Sequence, residues 1–403
     1  MRTPVFLVVG QDGTNAVSGE LLSRPGTLVV EHRFDGRVVV RAMAMLRDGN
    51  RMDTAREALE LAHGCVSCTI RNDLLVLLRR LSARPEVERI VLNLAPWVEP
   101  EPICWAIHHV RVDPGYPFAP GPAARDVEVR AVVAVVDEQV WLAQALGDDE
   151  LADGRTLAQV AVCQAEFADL LVCGQSSMEL REVFARLNPV APIIANADAI
   201  EDALDRLPAA SRRGRTDDPH GSLLAGQPPL EAAGPTQLIE FQARRPFHPD
   251  RLHDALDVLL EGVIRARGRL WLANNSEQVM WLESAGGGLR VSTAGRWLAA
   301  MSASERAYTG TERNVLARAF WDERHGDRHS ALVALAHGAD PAEIRVTLQG
   351  ALLTDEEMRH PGRWPDLPDP FGDWHEEPCS EPIPADVASD MGNEPGKTEG
   401  EQQ

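Results

Sequence analysis

At 403 residues the chain is longer than one hydrophobic core supports, so two domains with additional segments are expected. No apolar run approaches the roughly 18 residues of a membrane span, and the opening run at 5–9 is too short for a secretory leader, so a soluble, cytoplasmic protein with no membrane partner is expected. The net charge of −21, of which −11 falls in residues 354–403, argues against bulk adhesion to nucleic acid or anionic lipid.

Apolar runs at 5–9, 27–30, 89–94, 129–136, 169–173 and 192–195 alternate with helical patterns over residues 1–207. Such alternation predicts an α/β domain built on a parallel sheet flanked by helices. The helical patterns lie at 73–81, 155–167 and 178–187, with apolar residues at helical spacing to cover the sheet. Residues 208–235 concentrate Gly, Pro and Ser and read as an interdomain linker. From 236 to 353 the pattern changes to a smaller α+β domain, with strands expected at 237–243, 269–273, 278–283, 289–292 and 331–336 and a helix at 249–261. The remainder, 354–403, is acidic and rich in proline, and most of it is expected to be unfolded.

Two segments offer chemistry. The first strand runs into GQDGTNAVSG, residues 10–19, where a phosphate-binding loop would stand in a fold of this kind. A P-loop needs glycines so that backbone N–H groups wrap the phosphates, a lysine for the β/γ charge and a hydroxyl for magnesium. Setting Gly10 and Gly13 on its first two glycines puts Asn15, Ala16 and Val17 at the third glycine, lysine and hydroxyl positions. Lys397 is the sole lysine in the chain, so no shift of register restores the cation, and Asp12 adds a negative charge. Gly10 and Gly13 are therefore the candidate cofactor residues of a degenerate loop whose simpler explanation is a strand-to-helix turn. GTP binding is not expected to survive, and no catalytic residue is assigned.

The second segment is HGCVSCTIRNDL, in which Cys65 and Cys68 form a CxxC pair just ahead of an amphipathic helix, with His63 as a third candidate ligand. Paired thiolates can share a zinc ion. A helix N-terminus assists thiolate formation and so serves metal binding and redox exchange alike, while plain structural cysteines are the third alternative. Cys104 and His108, four apart, point to one face of a helix and are explained by packing, whereas His375 and Cys379 lie in the acidic tail and are not assigned. The arginine groups Arg212, Arg213 and Arg215, and Arg265, Arg267 and Arg269, leave direct nucleic-acid contact open, although solvated charge and alternating strand faces explain them more simply.

The segments GCVSCTIRNDL, VVAVVD, ADLLV and LNPVAPI, together with RRPFHPDRLHDALDVLLEGVIRARGRLWLAN, resemble the CobW-like family of P-loop GTPases and metallochaperones over nearly all of residues 1–355. The resemblance implies a P-loop-type domain followed by a CobW C-terminal domain, and GTP-driven zinc or cobalt delivery. Departures from the family pattern fall on the nucleotide motifs. The guanine reader aligns with Gly174-Gln175-Ser176-Ser177, the stretch after the third strand reads NLAPWVEP, and Ser67 replaces the middle cysteine of CxCC. In finer detail, MRTPVFLVVGQ, RPGTLVVEHRFDG, LAPWVEPEPICWAI and DPFGDWH resemble the actinobacterial branch of the family that recruits a hibernation factor to ribosomes under zinc limitation. That likeness implies the ribosome and a hibernation factor as partners.

Overall fold

The computed structural model describes residues 2–47, 50–62 and 66–372. In chain order the first domain contains β1 (Thr3–Gly10), α1 (Thr14–Leu22), β2 (Thr27–Phe34), β3 (Val39–Arg47), β4 (Asn50–Leu59), α2 (Val66–Ser82), β5 (Arg89–Asn93) and α3 (Pro100–His109). A short ribbon of β6 (Arg111–Val112) and β7 (Gly121–Pro122) follows. The domain continues with β8 (Val127–Val136), α4 (Trp141–Ala145), α5 (Leu157–Phe167), β9 (Leu170–Cys173), α6 (Met178–Leu187), β10 (Ile193–Ile194) and α7 (Ile200–Asp205).

Over the described residues these strands form an eight-stranded sheet in the order β10-β9-β8-β1-β5-β2-β3-β4. The expected runs supply its six parallel strands, from β10 to β2. They read as unbroken apolar runs because both faces are covered, as a parallel sheet requires. Val5, Leu7 and Val9 of β1 face a core completed by Leu74, Leu78 and Leu81 of α2 and Ile103 and Ile107 of α3. Val8, on the opposite face, meets Val17 and Leu21 of α1 and Ile200 of α7. Each such buried side chain contributes roughly 1.5–3 kcal/mol.

The sheet is mixed rather than wholly parallel. β3 and β4 pair antiparallel with one another and β3 with β2, extending the edge. This hairpin escaped the sequence analysis because RAMAM and TAREAL do not offer the compact β-branched run of the central strands. Its inner strand is nonetheless anchored by Val39, which is fully buried.

The second domain is a five-stranded antiparallel sheet, β11-β15-β12-β13-β14, made of β11 (Thr236–Ala243), β12 (Val263–Leu270), β13 (Gln278–Ala285), β14 (Gly288–Arg296) and β15 (Ser330–His337). Helices α8 (Pro249–Ala255), α9 (Ala303–Arg306), α10 (Thr311–Phe320), α11 (Pro341–Gly350) and α12 (Asp355–Met358) complete it. Ile239, Phe241, Ala266 and Leu332 pack with Leu252 of α8 and Ile344 and Leu348 of α11. The other face turns toward the first domain, where Leu238, Ile264 and Leu335 join the core of α5 and α6. β12 begins at Val263, six residues before the expected strand, and a bulge between Val263 and Arg265 sets which of its residues face that domain.

Three segments carry structure that composition does not show. Residues 208–235 contain no regular helix or strand, and they pack as a strap. Arg213 N donates to Asp169 Oδ1 at 2.8 Å, and Arg267 Nη2 and Arg269 Nη1 donate to the strap carbonyls of Leu223 and Gly221 at 3.0 and 2.6 Å. The described start of the tail is likewise folded. Trp364 packs with Trp271, Trp297 and Leu353, and Phe371 is buried in the second-domain core. Its aromatic residues offer enough apolar area to offset the ordering entropy. Residues 373–403, with His375 and Cys379, lie outside the described residues.

The third is the arginine groups, of which Arg212, Arg265, Arg267 and Arg269 are turned inward while Arg215 is exposed. Arg265 bridges Glu166 and Glu283, both at 2.9 Å, while Arg267 reaches Glu166 and Asp217, both at 3.2 Å, and Arg212 meets Asp217 at 2.5 Å. Burial opposes charge on Arg265, but Glu166 and Glu283 outweigh it and raise its pKa. Glu101 has no cation bonded to it in this cluster. Burial, then the neighbouring charges of Glu283, Glu166 and Asp217, pushes its carboxyl up to about 7.

Candidate functional site

The loop from β1 to α1 is short. Gly10 ends the strand and Thr14 starts the helix, leaving Gln11, Asp12 and Gly13 between them. Gly10, at φ +153°, has no room for a Cβ, which would lie 2.5 Å from the Val135 carbonyl oxygen, and Gly13 caps the helix at φ +76°. Both glycines are thus required by the turn itself.

The P-loop signature GxxxxGK[ST] places four residues between its fixed glycines and carries the helix after them, and the second of those glycines falls on Asn15 in this chain. Here the helix begins before such a loop could wrap a phosphate. Gly13 N–H, which would face the anion, donates to Asp12 Oδ1 at 2.7 Å. Gln11 Nε2 donates to Pro96 O and Gln164 Oε1, both at 3.0 Å, and Gln164 Nε2 donates to Pro96 O and Val98 O at 2.9 and 3.1 Å. This amide network ties the loop down. Beside it, Gln11, Val135, Trp141 and Gln164 line a cavity of about 10 Å³, room for a single water. Asn93 Nδ2 donates to Asn15 Oδ1 at 3.1 Å, so two neutral amides meet beside the loop.

The segment aligned with the guanine reader serves local structure. The Ser177 hydroxyl accepts from Leu180 N and caps α6, and the Ser176 hydroxyl accepts from Arg181 Nε at 2.8 Å. The residues present do not fit a nucleoside triphosphate.

His63 and Cys65 lie outside the described residues, so of the three candidate zinc ligands Cys68 is the one described. It sits in the first turn of α2 and is 8% exposed. The same turn is anchored by Thr69, whose hydroxyl accepts from Ala62 N at 2.8 Å. One turn further on, Asp73 receives His32 Nε2 at 2.8 Å and Arg41 Nη1, and Arg41 also pairs with Glu57. These contacts hold α2 against β2, β3 and β4. Among the described residues no group of three His, Cys, Asp or Glu side chains is placed to hold a metal ion.

Cys104 behaves as the packing explanation requires. Its side chain is fully buried, burial raises its thiol pKa well above the ordinary value, and His108 Nδ1 faces the Cys104 carbonyl at 2.8 Å. Sequence reasoning missed Gln11, Gln164, His32 and Asp73, because each depends on a partner 41 to 153 residues away.

Residues 236–352 match the family described as cobalamin synthesis protein cobW C-terminal domain, and residues 30–187 match the CobW/HypB/UreG nucleotide-binding domain. A Mycobacterium tuberculosis protein named zinc chaperone Rv0106 is 61% identical over 381 residues, covering 94% of this chain and 96% of its own. The chain belongs to the CobW family. A second relative, the zinc-regulated GTPase metalloprotein activator 1 of Dictyostelium discoideum, is 23% identical over 327 residues, 74% of this chain and 67% of that one. The crystal structure of Zn(II)-bound YjiA GTPase from E. coli superposes with a TM-score of 0.38 at 14% identity, over 88% of this chain and all of that one. The match to the CobW nucleotide-binding domain starts at residue 30, downstream of Gly10, Gly13 and α1. Among the described residues no helix is long and apolar enough to cross a membrane.

Proposed function

We propose that this CobW protein handles zinc through the Cys65–Cys68 segment without a cycle of GTP hydrolysis. The observation that carries the second half is the closed β1–α1 loop, with three connecting residues, no lysine and its Gly13 N–H taken by Asp12. Zinc is supported by the CxxC pair and by the name of the M. tuberculosis relative. On this reading zinc is cargo or signal. Cys65 and Cys68 supply thiolates at the start of α2, His63 stands two residues before the pair, and the helix is held by the Asp73 contacts with His32 and Arg41.

Calorimetric titration of zinc and of GTP into metal-free protein tests both halves. Zinc binding that is lost in the Cys65→Ser/Cys68→Ser variant, with no heat from GTP, is the expected result. Undiminished zinc affinity in the variant would remove the assignment, and metal-stimulated GTP hydrolysis by the wild type would restore the metallochaperone GTPase alternative.

The closed loop also favours a second reading, an adaptor that recruits a hibernation factor to ribosomes when zinc is scarce, since a scaffold needs no hydrolysis. This rests on the resemblance of the chain's opening, RPGTLVVEHRFDG, residues 94–107 and DPFGDWH to that branch. Gradient sedimentation from zinc-starved and zinc-replete cells decides it. Co-migration with ribosomes confined to starvation supports the adaptor, and protein remaining at the top of both gradients rejects it.

A further inference from the structure

One end of the second domain collects buried nitrogen atoms that have no hydrogen-bond partner: Arg269 Nε on β12, Trp297 Nε1 after β14, Arg313 Nε on α10 and His329 Nε2 before β15. Arg269, Trp297 and His329 are 4%, 2% and 4% exposed. They are neighbours. The His329 ring lies 5.5 Å from the Trp297 ring and stacks on Phe320 at 4.1 Å, and the charge of Arg269 acts on both His329 and the strap residue His220. Buried polar atoms are nearly always satisfied, so a group of orphans in one place calls for a missing partner.

The charges point the same way. Arg269 Nη1 donates to the carbonyls of Pro219 and Gly221 at 2.8 and 2.6 Å, Arg313 Nη2 to that of Arg296, and Arg328 Nε to that of Ser276 at 2.7 Å. Among the described residues none of these three guanidiniums forms an ion pair with a carboxylate. The acids nearby are engaged by backbone: Asp327 accepts from Leu298 N and Ala299 N at 2.9 and 2.8 Å, and Asp218 accepts from His220 N at 2.8 Å. In a chain of net charge −21, one buried cation, Arg269, and two half-buried ones, Arg313 and Arg328, gather here with no carboxylate bonded to them.

We propose that the cluster of Arg269, Arg313, Trp297 and His329, lying between the strap at 217–221 and helix α10, is a binding site for a small tetrahedral oxyanion of the phosphate class. Donors drawn from a strand, a helix and two loops suit a tetrahedral anion better than the planar fork of a carboxylate. His329 Nδ1 faces the Asp327 carbonyl at 2.8 Å, which assigns the proton of the neutral ring to Nδ1 and leaves Nε2 bare. Nε2 becomes a donor when the ring takes up a proton, and a bound anion favours that form. Burial, then Arg269 and Arg244, oppose the proton, while Asp327 favours it. A bound anion draws the ring's pKa up from about 4, so this donor strengthens as pH falls. The proposal is independent of the zinc reading.

The test is the melting temperature of the full chain titrated with inorganic phosphate at pH 6, against sodium chloride at matched ionic strength. A saturable rise with phosphate and none with chloride is expected. The Arg269→Gln/Arg313→Gln variant should bind at least tenfold more weakly, as should His329→Phe, which keeps the stack on Phe320 should the double variant fail to fold. Glycerol phosphate in a parallel titration separates a free anion from a phosphoryl group on a larger molecule, and binding of either supports the site. An equal response to chloride, or an unchanged phosphate response in His329→Phe together with an unchanged pH dependence, overturns it.

Discussion

Two groups of arginines, one at the domain interface and one at the end of the second sheet, solve the cost of a desolvated charge differently. At the domain interface Arg265, Arg267 and Arg212 are each bound to carboxylates, with Glu166 shared between two of them. At the far end of the second sheet Arg269, Arg313 and Arg328 reach only backbone carbonyls. Burial and nearby charge act accordingly, raising the pKa of Arg265 and lowering that of Arg269 to about 10, an effect of burial that Asp218 only partly offsets. The first group is complete and joins two domains. The second is unfinished, which is the expected mark of a site for an external anion rather than of a structural brace.

Removing one partner from the complete group should have the largest effect. Arg265→Ala takes one of two cations from Glu166 and leaves Glu283 only Arg290 at 4.0 Å, and it is expected to lower stability by about 3 kcal/mol in urea denaturation. A loss under a third of that would show that the interface is held by Leu238, Ile264 and Leu335 and not by its charges.

Two pH profiles come next, and they run in opposite directions. Glu101 titrates near 7 in the folded chain against an ordinary value of 4.5, so the folded state holds a proton that the unfolded state releases. Its contribution falls as pH rises through that window, and Glu101→Gln should raise the melting temperature at pH 8 but not at pH 4. His329 is depressed to about 4 by burial, against an ordinary 6.5, so stability is retained above 6.5 and lost as pH falls toward 4. His329→Phe should flatten that acid limb in anion-free buffer. Identical profiles for wild type and either variant would remove that group from the comparison.

The smallest effect is expected from Arg269→Ala, about 1 kcal/mol without phosphate, because no carboxylate is left stranded and the Pro219 and Gly221 carbonyls can take water. A cost as large as that of Arg265→Ala would erase the distinction between the groups.

Much of the first domain was legible because its signals are local. Continuous apolar runs mark strands covered on both faces, and the leucines of α2 mark a helix with one buried face. The β3–β4 hairpin was not, since its residues become strand through pairing with β2 rather than through their own pattern. At the candidate nucleotide site the missing lysine was readable, but not the Gln11–Gln164 bond that closes the loop across 153 residues. That residues 208–235 pack as a strap was not legible either, because composition records Gly and Pro without recording what the intervening carbonyls receive.

The sequence by itself determined the alternation of strands and helices in the first domain, the absence of a phosphate-binding lysine and the CxxC pair, all properties of neighbours along the chain. Only the tertiary structure decided that the arginines of β12 turn inward, two of them to Glu166 of α5 and the third toward the strap. The physical reason is that charge pairing and burial depend on which surfaces meet. A strand pattern of alternating arginines is the same whether its outer face meets water or another domain.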